Sequence, residues 1–136
     1  MTEVVVDTSV AVPLVVTSHR EHGAVSGYVG DRVVRLAAHA QLETYSVLTR
    51  LPGDARLAAN DAEILLAERF GAPIQMSASA TASLIGTLSA AGIVGGAVYD
   101  ALIGLTASAA GSLLLTRARR AVPTLLALGV DHQLVI

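Results

Sequence analysis

Cysteine is absent from this 136-residue chain, a gap that removes disulfide bridges, thiolate zinc sites and cysteine nucleophiles together. Lysine is absent as well: all nine basic residues are arginine, a bias that points to a GC-rich coding genome and assigns no function. Charge of either sign is scarce, with 15% of residues charged against 53% hydrophobic and a formal net charge of -2. A balance so close to neutral excludes a strongly basic nucleic-acid binder, so any contact with a polyanion must be local. The apolar content excludes a disordered tail, and the length suits one domain with a real core, over 1–136. No secretory signal is expected, because Glu3 and Asp7 stand where a leader carries Lys or Arg. The uncharged span from Phe70 to Tyr99 is long enough to cross a bilayer, but Pro73, Gln75 and repeated Ser, Thr and Gly dilute it below a lipid-facing helix. A helix buried in protein is expected there, with no membrane partner and a cytoplasmic location.

What is present alternates between strand and helix signals. Val4-Val5-Val6 is a β-branched run closed by Asp7-Thr8-Ser9, which predicts a strand and then a helix over Val10 to Val16 with Pro13 in its first turns. A second helix is predicted from Ser18-His19 to near Gly30, a strand over Val33 to Ala37, and a helix from Ala40 to Leu51 stopped by Pro52-Gly53. Asn60 and Glu63 read as a capping box opening a helix that ends at Gly71. Ile74 to Met76 read as a short strand, and Ser77 or Ser79 as the cap of a helix running to about Ala91-Gly92. Beyond Gly95-Gly96 come a helix through Asp100, a strand over Leu113 to Thr116, a helix from Ala118 to Leu128 and a strand over Leu134 to Ile136. Solidly apolar strands alternating with helices predict an α/β fold, a mainly parallel sheet covered by helices on both faces. Sites in such sheets form beyond the strands' C-terminal ends, where Asp7 and Thr116 fall.

Three carboxylates, Asp7, Glu43 and Asp100, stand in stretches otherwise built for a dry core, where an unpartnered charge is costly. Glu43 shares a helix face with Ala40 and Val47. Convergent carboxylates without cysteine describe a hard-cation site for Mg²⁺ or Mn²⁺, because an oxygen-ligated ion removes the mutual repulsion of the acids. The natural chemistry is metal-assisted phosphodiester hydrolysis. Each acid also has a purely structural reading: Asp7 as a helix cap, Asp100 as a complement to a helix dipole, Glu43 as a buried partner of Arg50. Thr8, Ser9 and Thr116 can position water or phosphate, or only cap helices. Arg117, Arg119 and Arg120 can meet RNA phosphates, or cover a solvated helix end and pair with a protein partner's acids. His19 and His22 are spaced as metal ligands on a helix, but no third ligand accompanies them, and a polar surface is the better reading. A nucleotide-binding flavodoxin-like sheet is disfavoured because Gly92 and Gly95-Gly96 make no convincing phosphate loop.

The stretches Val4 to Ser9, Ala38 to Pro52, Gly95 to Ile103, Leu114 to Arg117 and Leu128 to Val130, taken in order, resemble the PIN-domain nucleases. Within these they resemble the toxin ribonucleases of VapBC toxin-antitoxin modules. The resemblance covers nearly the whole chain. It implies a three-layer α/β/α PIN fold, a Mg²⁺ or Mn²⁺ site at Asp7, Glu43 and Asp100, endonucleolytic cleavage of RNA, neutralisation by a cognate VapB-like antitoxin and a homodimer. One departure stands out: the family's acid two residues after the threonine of its Leu-Thr-x-Asp motif is Ala118 here. Fewer acceptor oxygens near Thr116 imply weaker neutralisation of a divalent ion and reduced activity. A second function follows from the same departure, a catalytically weak PIN-like protein that mainly binds an antitoxin and dimerises.

Overall fold

The computed structural model describes residues 2–136, so Met1 of the expected domain lies outside the described residues. Strand β1 (Glu3–Val6) leads into α1 (Thr8–Val15) and α2 (His22–Val29), and β2 (Val33–Leu36) into α3 (Ala38–Leu48), α4 (Ala59–Phe70), α5 (Ala78–Ala82), α6 (Leu84–Ala90) and α7 (Ala97–Ala109). Then come β3 (Leu113–Thr116), α8 (Val122–Ala127) and β4 (His132–Leu134). All four strands pair in parallel in the order β2-β1-β3-β4. Val4 sits beside Val34 on one side and Leu113 on the other, which makes β1 an interior strand. Its three valines are wholly buried, as a β-branched run must be when helices cover both faces of a parallel sheet. Leu36, Leu114, Leu115, Leu48 and Leu125 complete a core drawn from sheet and helices alike.

Several elements depart from the sequence-based expectation, each for a local reason. Helix α1 starts at Thr8, so Pro13 lies in its interior rather than its first turns. Helix α2 starts only at His22, because the His19 ring accepts the Glu21 N–H at 3.0 Å and holds the preceding turn. His22 Nδ1 lies 2.8 Å from the Pro13 carbonyl, so both histidines serve local structure. No capping box opens α4: the helix begins at Ala59 after an extended Ala58, which leaves Asn60 inside its first turn. The strand expected at Ile74 to Met76 reduces to one parallel bridge between Ala37 and Ile74. Pro73 has no N–H to offer, and the chain turns at once into Ser77, whose hydroxyl accepts the Ala80 N–H.

The single buried helix expected before Gly92 is instead the pair α5 and α6, largely exposed, with Leu88 its one buried side chain. Hydroxyls of Thr81, Ser83 and Thr87 all donate to backbone carbonyls four residues back, and such back-bonding weakens a helix and lets it break at Ser83. Among the described residues no helix is long and apolar enough to cross a membrane. Ala118 is extended, not helical, and α8 starts at Val122, because Pro123 fits a first turn but would cost a hydrogen bond inside a helix begun at Ala118. The last strand lies two residues earlier than expected, pinned where Leu114 N–H meets the Asp131 carbonyl and Val135 N–H meets Thr116.

Candidate active site

The C-terminal ends of β1 and β3 are adjacent, and they carry Asp7 and Thr116 to the same edge. Asp7 occupies the backbone position of a helix cap yet makes no side-chain cap bond. Its carboxylate turns instead to hydroxyls: Ser9 donates at 2.5 Å, and Thr116 donates to the second oxygen. Each hydroxyl is itself held by a backbone donor, Ser9 by Arg117 N–H at 2.7 Å and Thr116 by Ala118 N–H at 3.0 Å. Two strand ends and the first turn of α1 are thus tied through one buried carboxylate. Burial raises the Asp7 carboxyl above its ordinary range, and the bonds from Ser9 and Thr116 oppose that rise.

Glu43 reaches the same edge from α3. Thr8 donates to its Oε1 at 3.2 Å, and His39 Nε2 lies 3.6 Å from Oε2 one helical turn earlier. Pairing with Arg50 is therefore not what explains Glu43. Asp100, in the first turn of α7, faces Arg120 at 3.9 Å, and its carboxyl is also raised, first by burial and further by the nearby Glu43, while Arg120 lowers it. All three acids line one open cleft of about 470 Å³, together with Arg50, Arg120 and Ala118.

Of the sequence-nominated residues, Thr8 and Ser9 line this cleft and Thr116 braces Asp7 from beneath it. Arg120 reaches it, whereas Arg117 and Arg119 lie outside its lining. The Arg117 Nε is buried without a hydrogen-bond partner among the described residues. Arg50 escaped the sequence reading as a site residue, although Glu43, Ser46, Val47 and Arg50 recur at helical spacing and all line the cleft. His39 and Tyr99 were overlooked too; their rings stack with centroids 5.1 Å apart.

The donor set is all oxygen, and the acids oppose one another electrostatically, which is the chemistry a hard divalent ion relieves. Among the described residues no three His, Asp or Glu side chains stand close enough to enclose an ion in this conformation. Each acid is turned to its local donors, and half-exposed Glu43 is the one with most room to swing.

Residues 4–121 match the family model described as the PIN domain. The chain belongs to the PIN-domain family. A relative from Mycobacterium tuberculosis, Ribonuclease VapC27, is 50% identical over 125 residues, covering 92% of this chain and 91% of the relative. Ribonuclease VapC40 of the same organism is 44% identical over 130 residues, or 95% and 96% of the two chains. Among solved structures, VapBC2 from Rickettsia felis, bound to a promoter DNA fragment, superposes with a TM-score of 0.65 at 14% identity over 97% of this chain and 98% of that one. At that identity the likeness speaks for the fold, a parallel sheet flanked by helices. PIN-domain ribonucleases depend on metal ions.

Proposed function

We propose that this single-domain chain is the endoribonuclease toxin of a toxin-antitoxin module, using Mg²⁺ or Mn²⁺ held by Asp7, Glu43 and Asp100. The observation that carries this reading is the convergence of three carboxylates from β1, α3 and α7 on one cleft at the C-terminal edge of a parallel sheet. A bound divalent ion supplies water activation and neutralises charge on the phosphate and leaving oxygen. The chain's own residues do the rest. Ser9 and Thr116 fix the orientation of Asp7, and Thr8 holds Glu43 facing the cleft. Arg50 and Arg120, both on the cleft wall, receive phosphate oxygens of the strand, with Arg120 exchanging Asp100 for the substrate. Arg119, exposed on the same chain segment as Arg120, extends the basic edge, whereas Arg117 is partly buried. A cognate antitoxin, a second copy of the chain and a cytoplasmic setting complete the reading.

Cleavage of total cellular RNA in Mg²⁺ or Mn²⁺ should be lost in Asp7→Ala, with a rate at least about a hundred-fold lower, since charge stabilisation at a site of this kind contributes on that order. Equal cleavage by the two proteins would overturn the assignment. One observation favours a second reading: Ala118 lines the cleft where the family has an acid. A chain that binds its antitoxin yet cleaves nothing even at high Mn²⁺ would establish that reading instead.

A further inference from the structure

Only four aromatic side chains exist in this protein, three tyrosines and one phenylalanine, and one of them stands beside the acidic cleft. Tyr99 immediately precedes Asp100 and is 53% exposed. One face of its ring lies on His39 with the planes only 10° from parallel and the centroids 5.1 Å apart, an offset stack. His39 is in turn set 3.6 Å from Glu43. A tyrosine placed merely to join α3 to α7 would be expected to bury its ring, as aromatic surface gains most when removed from water. Here the hydroxylated ring is backed by an imidazole and left open on the solvent side.

Geometry relates this platform to the chemistry. His39 and Glu43 are one turn apart on α3 with Nε2 3.6 Å from Oε2, and Tyr99 directly precedes Asp100 on α7, so the stacked pair adjoins two of the three acids. The platform therefore borders the cleft in which Asp7, Glu43 and Asp100 would address a phosphate. Resting on the ribonuclease reading above, we infer that Tyr99, backed by His39, is a stacking subsite for an unpaired RNA base flanking the cleaved bond. Stacking on a π face requires a splayed base, so the subsite selects single-stranded over duplex RNA and tolerates base identity. His39 acts as a positioning residue, holding both the ring and Glu43.

The chain has no tryptophan, so Tyr99→Trp introduces a single reporter at the subsite. In the full chain, with metal chelated to keep RNA intact, a single-stranded oligoadenylate should quench this tryptophan saturably, and the same strand in a duplex should not. Binding of the labelled single strand, followed by anisotropy, should weaken on the order of ten-fold in Tyr99→Ala and return to within about two-fold of the parent in Tyr99→Phe. Equal quenching by both forms, or none, overturns the subsite, as does a folded Tyr99→Ala chain that binds like the parent. If Tyr99→Ala fails to fold by its melting curve, the tryptophan quenching decides. Failure of the nuclease reading looks different: Asp7→Ala would then leave RNA cleavage untouched, whatever the Tyr99 series shows.

Discussion

Asp7 carries opposite demands in one side chain, because the burial that lets it be held rigidly also penalises its charge. Its carboxyl is raised above the ordinary value in the folded chain, so between those two values the folded state binds the proton more tightly than the unfolded state. Stability consequently falls as pH rises through that window, and the full penalty is present above it. Asp7→Asn removes the charge while keeping the shape. Rotation of the Ser9 and Thr116 hydroxyls can accommodate the new amide, since each oxygen has a second lone pair. The expected outcome is a chain without nuclease activity whose melting temperature at neutral pH is higher than the parent's, with the difference shrinking as pH falls through the titration of the raised carboxyl. Melting curves of the two chains across pH check this, and a lower melting temperature for Asp7→Asn at neutral pH would contradict it. Such a gain is the stability that a charge kept for the proposed active site withholds.

At the scale of elements, α7, which carries Asp100 to the cleft, also packs against α8. Gly104 lies inside α7, and a Cβ there would meet Leu125 Cδ2 at 2.6 Å and Val130 at 3.3 Å, both buried side chains. Alanine favours a helix interior by about 1 kcal/mol over glycine, whereas overpacking a core costs about 1–3 kcal/mol. The collision prevails: Gly104→Ala should lower stability by about 1 kcal/mol in chemical unfolding, and an unchanged or higher midpoint would show that α8 yields freely. Burial patterns made most of these elements legible. The valine run of β1, the leucines of β3 and the helix through Asp100 appear where apolar periodicity puts them. What the pattern could not reveal was local competition. Hydroxyl back-bonding split α5 from α6, Pro123 delayed α8, and the histidine ring of His19 delayed α2, all through single side chains with no periodic signature. The same holds for the site. Asp7, Glu43 and Asp100 stood out because their charge conflicts with their surroundings, and the structure brings all three to one cleft. Arg50 and Tyr99 did not, since nothing about an exposed arginine or tyrosine signals which neighbouring helix it faces until α3 and α7 are packed together.

For the molecule as a whole, the acidic cleft is a charge imbalance built into a nearly neutral chain, and a metal ion held there as proposed would couple its binding to folding. An ion that binds only the folded state stabilises it by about 2.7 kcal/mol at a hundred times its dissociation constant. For a chain of this size that corresponds to a rise of roughly 8 °C in melting temperature. On that proposal Ala118 sets how large the coupling is. Its backbone N–H already braces Thr116, and its side chain faces the cleft without an acceptor oxygen. Ala118→Asp adds a fourth negative charge to a wall that already holds Asp7 and Asp100, both of which are raised by burial. Without metal the variant should therefore melt below the parent, by a few degrees on the same scale. With saturating Mn²⁺ the order should reverse, because the extra carboxylate binds the ion and the ion cancels the repulsion. Nuclease activity should rise with metal affinity in the same titration. Melting curves of both chains across a Mn²⁺ series read this directly: crossing curves bear out a metal site completed from the end of β3, and parallel curves place the ion, if it binds at all, away from residue 118.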